Sequence, residues 1–108
     1  MKNRIIFTAT AENDLRSVAF YIAEQTSSKA AAADFVRKLK EKCGRLEDFP
    51  EMGALPRDRV LTSLGFRFLV CGDYLLFYTH DSVKCEVYVS AVIHSKQDYM
   101  RVMRKYIM

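Results

Sequence analysis

Apolar residues recur at helical spacing in the first half of the chain and at strand spacing in the second. Leu15, Val18, Ala19 and Ile22 fall at i, i+3, i+4 and i+7, one stripe of a helix that Thr8 or Thr10 can cap. The hydroxyl-rich run Gln25 to Ser28 ends it. Ser27 is then placed to cap a second helix from about Lys29 to Leu46, in which Ala32, Phe35, Val36, Leu39, Cys43 and Leu46 keep the period. Phe49-Pro50 closes that helix, because the residue before a proline is driven out of the α region. Glu51 to Ser63, with Gly53 and Pro56, reads as a loop of about a dozen residues, long for a chain of this size.

From Gly65 to His94 the pattern becomes that of a three-stranded meander. Phe66 to Cys71 and Tyr74 to His80 are aromatic and aliphatic, and Gly72-Asp73 between them suits a tight hairpin. His80 to Lys84 supplies a second turn. Strict alternation along Glu86 to His94 then predicts Val87, Val89, Ala91 and Ile93 on one face. Tyr88, Ser90, Val92 and His94 would line the other face, mixed enough to be a working surface. Arg4 to Thr8 reads as an extra edge strand. Lys96 to Ile107 reads as a terminal helix, capped by Ser95, with Tyr99, Val102, Met103 and Tyr106 on one side. These elements predict an α+β fold: an antiparallel twisted sheet packed against an N-terminal helical hairpin, with a C-terminal helix near one edge. Leu15, Ile22, Phe35, Leu39, Leu69, Phe77, Val89 and Ile93 are the expected core.

At 108 residues the chain is expected to form one domain, residues 1–108, large enough to fold without disulfide or metal. Cys43, Cys71 and Cys85 are odd in number and lack ligand spacing, which fits a reducing compartment; with no apolar run of spanning length, the expected location is the cytosol. The net charge is only +4, but it is unevenly spread. Lys96, Arg101, Arg104 and Lys105 face Asp98 alone near the end of the chain, while Arg57 and Arg59, with Asp58 between them, precede Arg67, so a common basic patch can form.

No metal-binding, P-loop, dinucleotide or nucleophile-elbow motif is present, and no cofactor is expected. Conventional hydrolase readings are therefore poor, but RNA cleavage can be carried out with Lys, Arg, Tyr and His alone. It needs a base for the 2′-hydroxyl, an acid for the leaving oxygen and cations on the phosphate. Arg67, His94, Lys96 and Tyr99 are the chemically suitable candidates. Each also has a plain structural role available: a solvated strand residue, a strand-end cap, a surface lysine and a core aromatic.

The layout β-α-α-loop-β-β-β-α, with Ala11-Glu12-Asn13-Asp14-Leu15 opening the first helix, resembles the RelE/ParE superfamily of bacterial type II toxins. Phe49-Pro50 before Gly53, Gly65-Phe66-Arg67, Tyr74-Leu75-Leu76-Phe77-Tyr78 and His94-Ser95-Lys96-Gln97-Asp98-Tyr99 extend the resemblance over nearly the whole chain. It implies a cytosolic toxin of a plasmid-stabilising module, encoded beside an antitoxin that binds it. The RelE-like branch cuts messenger RNA on the ribosome and commonly has an arginine directly after the middle-strand tyrosine. Here Leu75 follows Tyr74. The resemblance therefore leans to the ParE-like branch, whose studied members poison DNA gyrase. Under the RNase alternative, Arg67, His94, Lys96 and Tyr99 would be catalytic and the chain an endoribonuclease; a non-toxic binding module of the same fold is a third reading. Phe20, Tyr21 and Ala23 beside the first helix stripe, with Met100, Met103 and Ile107 in the last helix, form the expected surface for the antitoxin.

Overall fold

A computed structural model describes residues 2–106. In chain order the elements are β1 (Arg4–Phe7), α1 (Ala9–Thr26), α2 (Lys29–Gly44), α3 (Arg59–Ser63), β2 (Arg67–Cys71), β3 (Tyr74–Asp81), β4 (Glu86–His94) and α4 (Tyr99–Met103). Single 3-10 turns, Arg45–Glu47 and Arg104–Tyr106, continue α2 and α4. The architecture is α+β, and the strands form one sheet in the order β1-β4-β3-β2. The meander is antiparallel as expected, but β1 runs parallel to β4, so the sheet is mixed. The long α1-α2 crossover between β1 and the meander is what permits that parallel edge.

Caps set the helix boundaries. The Thr8 hydroxyl accepts the Ala11 N–H, and Ser28 rather than Ser27 accepts the Ala31 N–H. Ser27 instead holds a left-handed conformation (φ 53°) that lets its own N–H reach the Ala23 carbonyl. The expected loop from Glu51 to Ser63 contains α3, because Asp58 accepts the N–H groups of Val60 and Leu61. The last helix begins at Tyr99, with Asp98 as its cap, and not at Lys96. Ser95, the expected cap, lies in a turn closed by the Gln97 N–H on the His94 carbonyl.

One β-bulge reorganises the sheet. Phe77 pairs with Ala91 and Tyr78 with Val89, so Ser90 is the extra residue on β4. Alternation therefore switches face at Ser90: Val87, Val89 and Val92 pack under the helical hairpin with Leu15, Leu39 and Cys43, whereas Ala91 and Ile93 join the opposite side. A single face carrying Val87, Val89, Ala91 and Ile93 is not formed. Nor is the second face a free working surface. Leu61 of α3 and Met103 of α4 close over Phe66, Leu75, Phe77, Ala91 and Ile93, so the terminal helix covers a face and not an edge.

The bulge also frees backbone groups, which are satisfied from both ends of the chain. The Ser90 carbonyl accepts the hydroxyls of Thr8 (3.3 Å) and Tyr106 (2.9 Å). Past the end of β1, the Val92 N–H donates to Asp14 Oδ2 at 3.0 Å. Burial pushes the Asp14 carboxyl above its usual range, against the opposing pull of that hydrogen bond and of Lys105. Six of the eight expected core residues are buried, but Ile22 and Phe35 are only half-buried at the margin of the hairpin core.

Candidate functional site

His94 ends β4 opposite Tyr74, the first residue of β3. The two rings meet edge to face at 5.1 Å, and Phe35 of α2 meets Tyr74 in the same manner at 5.3 Å. Ser17, Val18 and Tyr21 of α1 complete a shallow cleft of about 250 Å³ around this pair. The His94 Nδ1 accepts the Lys96 N–H at 3.1 Å, so the neutral ring carries its proton on Nε2. Lys96 is thereby held beside the imidazole by its backbone, with its residue exposed. Burial, with Tyr21 and Asp73 nearby, pushes the Tyr74 phenol above its ordinary pKa, so it is not a phenolate base at neutral pH.

Arg67 and Tyr99 belong elsewhere. Arg67 pairs across the sheet with Tyr78, four residues along β3 from Tyr74, which separates it from His94 by about 13 Å along the strands. Its Nη1 donates to the Gly53 carbonyl at 3.0 Å. The buried Tyr78 hydroxyl grips the same loop, accepting the Gly53 N–H (3.0 Å) and donating to the Pro50 carbonyl (2.7 Å). Tyr99 sits on the opposite face of the sheet with its ring 5.3 Å from Phe77. Its hydroxyl accepts the Arg57 N–H at 3.0 Å. Of the four candidates, then, only His94 and Lys96 are brought together; Arg67 anchors a loop and Tyr99 anchors α4.

The expected partner surface is divided in the same way. Phe20 and Tyr21 are 66% and 55% exposed on α1, but Met100 projects from α4 beyond the other face of the sheet. Met103 is fully buried in the second core and offers no surface, while Ile107 lies outside the described residues. A separate groove of about 380 Å³ runs between α2 and β2, lined by Phe35, Lys38, Lys42, Val70 and Gly72. Along this edge Phe68 is already bridged to Ala54, and the Val70 carbonyl takes the Lys42 ammonium.

The family model of the ParE toxin of the type II toxin-antitoxin system parDE matches residues 5–99. The chain belongs to the ParE toxin family. No curated protein matches its sequence. Among solved structures, the ParE-family chain is similar to the chromosomal ParDE toxin-antitoxin system from P. aeruginosa, with a TM-score of 0.71 and 15% identity over 88% of this chain and 98% of that one. It is also similar to the RelBE2 toxin-antitoxin complex from Mycobacterium tuberculosis, with a TM-score of 0.59 and 24% identity over 87% and 99%. Identities this low carry the fold alone, and the fold is that of the RelE/ParE superfamily.

In this ParE-family chain the contact between Gly53 and Tyr78 escaped the sequence reading. Two signals pointed to it: a glycine just after Phe49-Pro50, and a strand tyrosine too deep in an apolar run to keep its hydroxyl in water. A Cβ on Gly53 would lie 2.6 Å from the Tyr78 hydroxyl and 2.9 Å from the Phe68 carbonyl oxygen, so only glycine fits this approach.

Proposed function

We propose that this ParE-family toxin arrests bacterial growth by acting on DNA gyrase in the cytoplasm, without cutting RNA. The observation that carries the reading is the dispersal of the cleavage residues. Arg67 and His94 lie two strands apart and about 13 Å apart along the strand direction, and Tyr99 packs on the other side of the sheet. General acid-base chemistry requires its groups within hydrogen-bond reach of one substrate. The Leu75 that follows Tyr74 supports the same reading, since no arginine stands there to supplement the pair.

Neutralisation by a cognate antitoxin belongs to this proposal, in a toxin-antitoxin hetero-oligomer. The exposed Phe20 and Tyr21 and the α2-β2 groove are the surfaces suited to an antitoxin segment that folds on docking. The assay is expression with and without the product of a neighbouring open reading frame, followed by size-exclusion chromatography. A tight complex that restores growth is expected. A strictly monomeric chain that leaves growth unaffected would favour a non-toxic binding module instead.

Ribosome-dependent messenger RNA cleavage is the second reading, and one observation favours it. His94 is oriented by the Lys96 N–H, at the mouth of a cleft, with the lysine beside it. Messenger RNA cleavage on programmed ribosomes that is lost in His94→Ala, with gyrase untouched, would put this reading first.

A further inference from the structure

The sheet has two edge strands, β1 and β2, and they are guarded differently. On β2 the Phe68 N–H and C=O are both bonded to Ala54 at 2.9 Å, and the Val70 carbonyl takes the Lys42 ammonium. On β1 the Arg4 and Thr8 N–H groups donate to the Cys85 and Val89 carbonyls at 2.8 and 3.0 Å, so the even-numbered residues bond to β4. The N–H and C=O groups of Ile5 and Phe7 therefore point away from the sheet, and they meet no partner among the described residues. The Asn3 N–H, earlier on the same edge, is taken by the Glu47 carbonyl at 2.8 Å, so the open stretch starts at Ile5. Unpaired backbone groups in a row on an apolar strand are a template for one more strand.

Side chains along this edge are short of cover on both faces. Ile5, Ile6 and Phe7 are all half-buried. Ile5 and Phe7 lie on the hairpin side at the margin of its core. Beside Phe7 a cleft of about 260 Å³ is lined by Leu15, Ala19 and Val36, with Glu12 and Arg16 also at its walls. Ile6 lies on the opposite face, outside the second core.

A second copy of β1 fits these features together. Antiparallel strands exchange N–H and C=O between residues whose polar groups face each other, so a two-fold axis through Ile6 sets Ile5 against the partner's Phe7 and closes four hydrogen bonds. The same register puts the partner's Ile5 beside Phe7 at the mouth of the cleft and brings the two Ile6 side chains together across the axis. Charge agrees with it. The two loosest ion pairs among the described residues sit at the two ends of β1, Lys2 with Glu47 at the start and Arg16 with Glu12 past the end, both at 3.7 Å. In an antiparallel pair each start meets the other's end, where Lys2 can turn to the partner's Glu12 and Glu47 to the partner's Arg16. An unrelated strand would have to supply both charges and an apolar residue for the cleft, all of which this chain carries.

We propose that β1 is a self-association edge, on which two copies of the chain pair antiparallel about Ile6 into one continuous sheet. Pairing over so short a stretch makes a weak, reversible dimer. The α2-β2 groove lies at the opposite edge of the sheet and stays open in it.

Sedimentation equilibrium of the intact protein, from about 10 μM to about 1 mM, should show a mass rising from 12.5 kDa toward twice that value. Ile6→Lys places like charges opposite each other on the axis and should weaken association about tenfold or more. Val70→Lys, on the β2 edge, should leave it unchanged. Cross-linking in a glutathione redox buffer, in a Cys85→Ser background, reads the register. Across the axis the Ile6 Cα atoms would be about 4.5 Å apart, within disulfide reach, so Ile6→Cys should give a disulfide-linked dimer. Arg4→Cys is at a more exposed position of the same strand but would stand about 13 Å from its counterpart, and should not. Circular dichroism checks that each variant is folded. The proposal is overturned if the wild type stays monomeric at about 1 mM, or if Ile6→Lys weakens association no more than Val70→Lys does. Cross-linking of Arg4→Cys as readily as Ile6→Cys would overturn it too.

Discussion

Gly53→Ala tests the idea that the loop after α2 is clamped to the sheet. The added Cβ would lie 2.6 Å from the Tyr78 hydroxyl, 2.8 Å from its Cε1 and 2.9 Å from the Phe68 carbonyl oxygen. None of these can yield cheaply. Tyr78 is completely buried in the middle of β3, and the Phe68 carbonyl is bonded to the Ala54 N–H at 2.9 Å. Overpacking of this kind costs about 1 to 3 kcal/mol. Moving the loop aside also breaks the Tyr78 hydroxyl bonds to Gly53 and Pro50, about 0.5 to 1.5 kcal/mol each. The expected destabilisation is therefore about 2 to 6 kcal/mol, a large share of the roughly 5 to 15 kcal/mol that holds a domain together. Urea denaturation should show the midpoint falling by about 1 to 3 M at unchanged slope. Repeating the substitution in Tyr78→Phe removes the hydroxyl contact but leaves Cε1 and the Phe68 carbonyl, so its cost should shrink by about 1 kcal/mol without vanishing. A Gly53→Ala protein within about 0.5 kcal/mol of wild type would refute the clamp.

Other outcomes follow from burial and ionisation. Leu39→Ala, at a fully buried position, should cost about 2 to 5 kcal/mol in the same assay, and Phe35→Ala less than the usual 3 to 5 because its ring is half-exposed. Asp14→Ala should cost about 1 to 3 kcal/mol by leaving the Val92 N–H unpaired, whereas Asp14→Asn keeps an acceptor and should be neutral or stabilising at pH 7. Because burial raises the folded pKa of Asp14, its contribution is fully present below the ordinary carboxyl value and is lost as pH rises through the raised one. Wild type should therefore lose stability relative to Asp14→Asn across that window, and a constant difference between them would contradict the assignment. The Cys43 thiol, pushed up to about 12 chiefly by burial, should resist alkylation at pH 8 until urea unfolds the chain. Rapid native-state labelling at Cys43, read by mass spectrometry, would show that this part of the core opens.

Hairpin and meander were legible because their signals are local. Period-3.6 stripes and the Gly72-Asp73 turn each specify an element from a few neighbouring residues, and the resemblance supplied their arrangement. What misled was an event that local alternation does not register. The Ser90 bulge turns half of β4 over, and Thr8, Tyr106 and Asp14, which satisfy the backbone around it, come from distant parts of the chain. The second core was hidden for the same reason, since Met103 reads equally as a buried residue or as a docking surface until α4 is seen across Phe77 and Ile93. The short α3 was within reach: Asp58 followed by Arg59-Val60-Leu61 is a cap before an apolar residue, masked by the prolines and glycine upstream. The candidate site was legible only as a list of suitable side chains. Which of them meet depends on strand register, and register separates Arg67 from His94.

The central claim, a toxin whose action on gyrase needs no RNA-cleaving centre, is tested most directly by supercoiling with purified gyrase. Wild-type protein is compared with the Arg67→Ala, His94→Ala double variant, both checked for folding, and programmed ribosomes serve as the parallel substrate. Both proteins should inhibit supercoiling, and neither should cut messenger RNA. Cleavage in the ribosomal A site by wild type, abolished in the double variant while gyrase remains fully active, would contradict the account.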